Sequence, residues 1–313
     1  MIRFLKHSEI DPEKWNQTVR KSLSSSIFGE YEMLDLLAAP DTWHALVQGD
    51  YVAVIPLPTR KKGVLKYVYT PFFLPQMGIF SEHEITADET DTFFKEISKH
   101  YVLADVLLNE KNGIQKTDNT THFVSHVTSL QPSYNELYSQ FHENTKRNIK
   151  VGRKMECRIT VGEEPVTDII TLFRANRGQG SNVHFQEEDY ARLSQIADYL
   201  LNNNLLDVYG VRTNDNQLAA GALFVKDGNR RWFWFSGRNN HLSDCKPMFL
   251  LLDAYIRDHA GSDILLDFNG SKNENVARLY QGFGGNRYTI PFVRRFGNWL
   301  WKMVLVPFVN DIE

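Results

Sequence analysis

Four consecutive aromatic residues, Trp232, Phe233, Trp234 and Phe235, constrain this chain more than any other feature. Successive side chains of a strand point to opposite faces, so the run puts large rings on both sides. It therefore predicts a strand covered on both faces in the interior of a sheet. Ser236, Gly237, Arg238, Asn239 and Asn240 end the apolar run. A helix is expected to open at Pro247, where the missing N–H has no intrahelical partner to lose, and to run to His259, with Gly261 as its stop. Residues 264–268 form a second apolar run of strand length. Strand, crossover helix and strand in that order predict a parallel, right-handed unit. The loop after its first strand then faces the start of the helix, where free N–H groups and the helix dipole favour an anion, phosphate above all. Arg238 and Lys246 add side-chain charge to that loop.

Around this unit, residues 157–161, 206–212 and 218–226 are further strand runs, and the turn sequences TNDNQ and KDGN separate the last two and the aromatic strand into an antiparallel meander. Residues 166–177 and 187–202 carry helical spacing, so the second half reads β-α-α-β-β-β-α-β-α-β. Upstream, Tyr134, Leu137, Tyr138 and Phe141 mark an amphipathic helix expected to continue through ENTKRNIKVGRK. That continuation, which Gly152 weakens, aligns Lys146, Lys150 and Arg153 on one side, with Arg147 and Lys154 beside them. One reading is a solvated basic face. The sharper one has Arg147 and Lys150 bind an anionic substrate at a domain junction. The first half holds a strand at 2–5, helical segments within 12–38 broken by SLSSSIFGE, strands at 51–56 and 64–70 around TRKKG, and a helix at 86–99. It has no glycine-rich phosphate loop, no metal-ligand cluster and no nucleophile–base spacing, and no repeat of solenoid period is visible anywhere.

A length of 313 residues predicts two domains, divided at 1–125 and 126–313. A net charge of −3 excludes a protein that grips nucleic acid chiefly through overall positive charge, and no DNA partner is expected. Cys157 and Cys245 form neither a CxxC pair nor a disulfide framework, and MIRFLKHSEI lacks a signal-peptide core. No stretch approaches the roughly 20 apolar residues of a spanning helix. A cytoplasmic protein without a membrane span is the expectation. His184 and His241 stand alone, so no metal is expected.

Asn273, Ala277, Leu279, Tyr280, Gly282 and Phe283 resemble the last helix motif of the GNAT superfamily of acyl-CoA-dependent acyltransferases, with the alanine shifted by one and a short gap from tyrosine to glycine. SGRNN, KPMFLLLDA, LDFNGS and LYQGFGG, with ENTKRNIKVGRKMECRI upstream, are similar to the Fem-type aminoacyltransferases of peptidoglycan bridges and their FemAB-like relatives. The detailed match covers the second half; the first fits in length and element content. Gly237 is the sole glycine between Ser236 and Pro247, and Tyr280 and Gln281 stand where Fem-type enzymes usually carry lysine.

The resemblance implies an α/β (α+β) fold of two GNAT-like lobes, each a mixed, mostly antiparallel sheet flanked by helices. The first lobe is expected to be degenerate and the second to hold the cofactor at a splayed parallel strand pair. It further implies a bacterial N-acyltransferase using acyl-CoA, acetyl-CoA foremost, on a small-molecule or peptidyl amine between the lobes. The alternatives are a tRNA-borne aminoacyl donor or a degenerate binding protein. Phe235, Ser236, Gly237, Arg238, Asn239 and Lys246 are then expected at the cofactor, and Tyr280 near its sulfur as general acid. A buried tyrosine with a structural partner is the alternative for Tyr280. Asp267, inside ILLDF, must be paired if ionised. It is either the base, directly or through water, or a structural carboxylate fixing the following NGS turn. Cys245 reads as inert packing.

Overall fold

In the computed structural model, which describes residues 1–115, 120–176, 178, 185–270, 274–298 and 301–302, local signals start the helices where the sequence places them. The Asp11 carboxylate accepts from the N–H groups of Glu13 and Lys14 to open α1 (Pro12–Lys21), with Pro12 in the first turn. Before it lies β1 (Ile2–Leu5), and after it come α2 (Tyr31–Ala38), β2 (Trp43–Gln48), β3 (Ala53–Lys62), β4 (Leu65–Val68) and β5 (Phe80–Ser81). A Thr86–Glu89 capping box opens α3 (Ala87–His100), which leads to β6 (Leu103–Leu107). Neighbours from β1 to β4 pair antiparallel, whereas β4 and β6, joined across α3, pair in parallel. Trp15, Trp43, Val54 and Phe80 fill the core of this unit. The TRKK segment belongs to β3, and Gly63 with φ +61 helps turn the chain back into β4.

The second unit begins within β7 (Thr120–Ser129) and continues through α4 (Tyr134–Gln140), α5 (Glu143–Lys154), β8 (Arg158–Val161), α6 (Val166–Ala175) and α7 (Glu187–Asn202). The meander β9 (Leu206–Arg212), β10 (Leu218–Asp227) and β11 (Arg230–Arg238) follows, then a 3-10 turn (Asn240–Cys245), α8 (Pro247–His259), β12 (Leu265–Asp267), α9 (Glu274–Gly282) and β13 (Asn286–Phe296). Its strands lie in the order β7-β12-β11-β10-β9-β8, with β11 and β12 parallel as predicted and the rest antiparallel. Helix α8 covers one face, Tyr255 stacking on Phe224 at 3.6 Å, and α6 packs on the other against Gly221 and Gly237.

The two units are Met1–Phe123 with Thr289–Glu313, and Val124–Tyr288. This differs from a single cut after residue 125, because residues 292–296 of β13 pair with β6 of the first unit. With β5 set aside, β1 to β6 run β-α-α-β-β-β-α-β, and β8 to β12 repeat the same order, each ending in a parallel pair across a helix. The fold is thus a mixed α/β one of two GNAT-like lobes.

The helix expected to run unbroken from Tyr134 into the basic segment is instead two helices. Phe141 and His142 are extended: Phe141 is buried edge-on against Phe283 at 5.0 Å, and the His142 N–H donates to Gly282 O at 2.9 Å. Docking onto the end of α9 outweighs helical continuity. Of the sequence features singled out, Arg177, His184 and Asn273 lie outside the described residues.

Candidate active site

Strand β11 is held by β10 as far as Arg238, but its register with β12 stops at Trp232 opposite Asp267. Past that point the parallel strands part, and among the described residues no further strand pairs with β11 on the side of β12. A β-bulge marks the same place. Phe224 opposes Phe233 and Leu223 opposes Phe235, so Trp234 is the extra residue. The bulge reverses the alternation that the aromatic run predicts. Phe233 and Phe235, two residues apart, lie on opposite faces: Phe233 against Phe224 and Tyr280, Phe235 against Phe173 of α6.

Helix α9 brings Tyr280 to the mouth of the gap. The residue is 5% exposed, its ring stacked on Phe268 (4.7 Å, 18°) and edge-on to Phe233 (6.0 Å). Phe268 directly follows β12, so this ring sits where the two strands separate.

Asp267 is elsewhere. Leu266 and Phe268 pack into the α8–α9 core, so strand alternation turns Asp267 to the other face of the sheet. It is 0% exposed, its Oδ1 accepting from Ser125 Oγ (3.0 Å) and Asn269 N–H (2.9 Å), its Oδ2 from the Tyr288 hydroxyl (2.5 Å), with Arg230 at 3.7 Å. Burial raises its pKa, while Arg230, Tyr288, Asn269 and Ser125 work against that rise. Such a set of partners fits an anchor for the backbone at Asn269. The two residues proposed from sequence as acid and base thus lie on opposite faces and are not brought together.

On the Tyr280 face stands a group the sequence reading missed. His126 of β7 is 1% exposed, its ring 6.3 Å from that of Tyr280 and its Nε2 3.1 Å from the Gln281 side-chain nitrogen. Its Nδ1 has no partner among the described residues. Burial first, then Arg287, lowers its pKa, so the ring is neutral at pH 7. Period-two alternation in THFVSHVTS puts His126 and Thr128 on one face, but nothing in the sequence says which face meets α9.

The His126 shift predicts a pH dependence. Stability contributed by the buried neutral ring is intact above its unfolded value of 6.5 and is lost as pH falls through the lower folded value. One such group adds a slope of at most about 1.4 kcal/mol per pH unit. Denaturant unfolding of wild type and His126→Asn from about pH 7.5 to about pH 5 is expected to show a shallower acid loss in the variant. Equal slopes exclude this role.

The residues predicted to meet a donor are near one another in the chain but not equally available. Arg238 is exposed, with Nε bonded to Asn240 Oδ1 at 3.1 Å, and Asn239 Oδ1 caps the 3-10 turn by accepting from His241 N–H at 3.0 Å. Lys246, left-handed at φ 50, heads α8, and its carbonyl takes the N–H groups of Phe249 (3.0 Å) and Leu250 (3.2 Å). With Pro247 lacking an N–H, the first turn of α8 offers fewer free donors than an open phosphate loop. Gly237 is required by packing: a Cβ there would lie 2.8 Å from Phe173 N and from Leu172 Cβ. Ser236 is half-buried and Phe235 buried under α6.

The basic stripe is also smaller than its sequence suggests. Arg153 is bound to the buried Asp253 (2.8 Å) and to Tyr134 Oη (3.0 Å), and Lys146 to Glu143 (3.0 Å). Arg147, Lys150 and Lys154 are exposed, and Arg147 donates to Asn144 Oδ1 one turn away at 2.7 Å. Among the described residues no His, Cys, Asp or Glu cluster is suited to a metal, and no helix is long and apolar enough to cross a membrane.

Residues 139–275 match the acetyltransferase (GNAT) domain family, a segment that runs from α4 to the first turn of α9 and contains the parted strands. The protein is an acyltransferase of GNAT fold. Over its length that fold is Fem-like: a crystal structure of FemX aligns with a TM-score of 0.65 at 12% identity, covering 96% of this chain and 99% of that one. The C-terminal domain of a putative lysylphosphatidylglycerol synthetase from Agrobacterium fabrum aligns with a TM-score of 0.55 at 9% identity, covering 96% of each chain. L-PGS from Bacillus licheniformis gives 0.51 at 10% identity, covering 97% of each. At these identities the likeness is one of fold. A search of curated proteins returned no match.

Proposed function

We propose that the protein is an N-acyltransferase that takes an acyl group from acyl-CoA, acetyl-CoA foremost, and passes it to the amine of a small molecule or peptide. The observation that carries this reading is the parting of β11 from β12 beside a bulge, with Tyr280 at its mouth. An acyl-CoA supplies an activated thioester and an extended pantetheine arm. An arm with amide groups can pair along a strand edge whose register with β12 ends at Trp232. Backbone N–H groups on that edge are suited to polarise the thioester carbonyl. The Tyr280 hydroxyl is the group we assign to protonate the departing thiolate, and His126, neutral and on the same face, is better placed than Asp267 to serve the acceptor side. Arg238 and Lys246 remain for the phosphates as charges. In the first unit β4 is the counterpart of β11, and the gap between it and β6 is bridged where Thr70 Oγ1, just past β4, accepts from the Leu107 N–H at 2.9 Å, which supports a single donor site in the second unit. A CoA donor implies a cytoplasmic reaction.

The thin phosphate provision at α8 favours a second reading, aminoacyl transfer from a charged tRNA, with exposed Arg147 and Lys150 meeting RNA phosphate. Native mass spectrometry with acetyl-CoA and, separately, tRNA binding over a salt series separate the two. The CoA reading expects a one-to-one acetyl-CoA complex and no change in salt slope for Arg147→Ala/Lys150→Ala. A steep tRNA salt slope lost in that variant, without an acetyl-CoA complex, sinks it in favour of the second reading.

A further inference from the structure

Between Asp50 and Glu82 the chain carries no acidic residue, and the four cations of that span, Arg60, Lys61, Lys62 and Lys66, all fall on one hairpin. It joins the end of β3 to β4 in the first unit, and all four side chains are exposed. This concentration of positive charge stands against a net charge of −3 for the whole chain. The register sets Lys61 directly opposite Lys66, while Arg60 meets Tyr67 and Lys62 meets Leu65 on the other face of the ribbon. Like charges facing each other across two strands weaken their pairing, so the fold itself gains nothing from Lys61 beside Lys66. The tip holds a second residue that the fold does not ask for. Gly63, at φ +61, supplies the conformation a two-residue hairpin loop needs, and the position after it commonly holds Asn, Asp or Ser. Here it holds Val64, 95% exposed and, after Met1, the most exposed large apolar side chain among the described residues.

The base of the hairpin is aromatic. The Arg60 guanidinium lies 4.1 Å from the centre of the Tyr69 ring and 5.4 Å from that of Phe72, itself 36% exposed. Leu65 and Tyr67 pack with Phe296 and Trp301 around Leu103. After Trp301 and Lys302 the sequence reads MVLVPFV, seven uncharged apolar residues, so this apolar sequence begins from the base of the hairpin. We infer that the hairpin of residues 60–66 docks the protein on a membrane surface containing anionic phospholipid, without crossing it. The lysines meet the headgroup phosphates, Val64 enters the boundary of the acyl chains, and the aromatic base suits the interface between them. Nucleic acid would reward the lysines but not the apolar tip. The surface does not rest on the acyl-donor reading, and its test needs no substrate.

The full chain is sedimented with vesicles of phosphatidylcholine alone and of phosphatidylcholine and phosphatidylglycerol in equal parts. Binding to the anionic vesicles is expected, weakening as salt is added. Each lysine at such a surface is worth roughly fivefold, so Lys61→Gln/Lys62→Gln/Lys66→Gln is expected to bind about 10²-fold more weakly, and Val64→Ser about tenfold more weakly. Thermal unfolding controls for folding: the four positions are exposed, and removing the facing lysines is expected to leave Tm unchanged or to raise it. Equal binding to both kinds of vesicle overturns the docking surface, as does anionic binding that the variants retain. Retention of a poly(U) oligonucleotide that the lysine variant loses and Val64→Ser keeps, without vesicle binding, overturns it in favour of a nucleic-acid surface.

Discussion

Tyr280→Phe is expected to lower kcat by roughly 10² to 10⁴-fold, the usual share of a positioned general acid, and to leave acyl-CoA affinity unchanged. The substitution keeps the ring, so stacking on Phe268 and the edge contact with Phe233 survive and only the hydroxyl is lost. Thiol release from acetyl-CoA with a panel of primary amines reads the rate, and calorimetry reads the affinity. A rate within about threefold of wild type lies far below that range and removes Tyr280 from the chemistry. A fall in rate matched by a fall in affinity assigns the hydroxyl to donor binding instead.

Asp267→Ala is expected to cost about 3 to 5 kcal/mol, the loss typical when one partner of a buried charged network is deleted. It removes the acceptor shared by Ser125, Tyr288 and the Asn269 N–H and the charge beside Arg230, at a site with no solvent to replace the carboxylate. Asp267→Asn keeps the size and one acceptor oxygen and removes a carboxylate whose ionisation burial already disfavours, so about 1 to 2 kcal/mol is expected. Denaturant unfolding gives both values. If Asp267→Asn keeps its stability but loses catalysis by about 10²-fold or more, the carboxylate is a base after all.

Both predictions depend on which face of the sheet a residue occupies, and that is where sequence reading reached its limit. The parallel unit was legible because Pro247 and Gly261 punctuate it and the runs on either side have strand length. The bulge was not, since Trp234 is as apolar as its neighbours and only the partner strand reveals the extra residue. For the same reason Tyr280 and Asp267, both buried and close in sequence, looked like one site. Arg153 read as a free cation because its partner, Asp253, sits a hundred positions away on α8. The matching element order of the two units left no trace of repeated residues, because many apolar sequences satisfy the same strand and helix periods. Nor does periodicity tell where a strand finds its neighbour, so the return of residues 292–296 to β6 was invisible.

Hydrogen exchange of the reduced protein with and without saturating acetyl-CoA tests the central claim most directly. The account predicts protection concentrated on residues 233–246, the edge of β11 past Trp232 and the turn into α8, with residues 67–70 at the gap between β4 and β6 unchanged. Protection on the first unit alone, or none anywhere at concentrations well above those at which GNAT donors ordinarily bind, contradicts it.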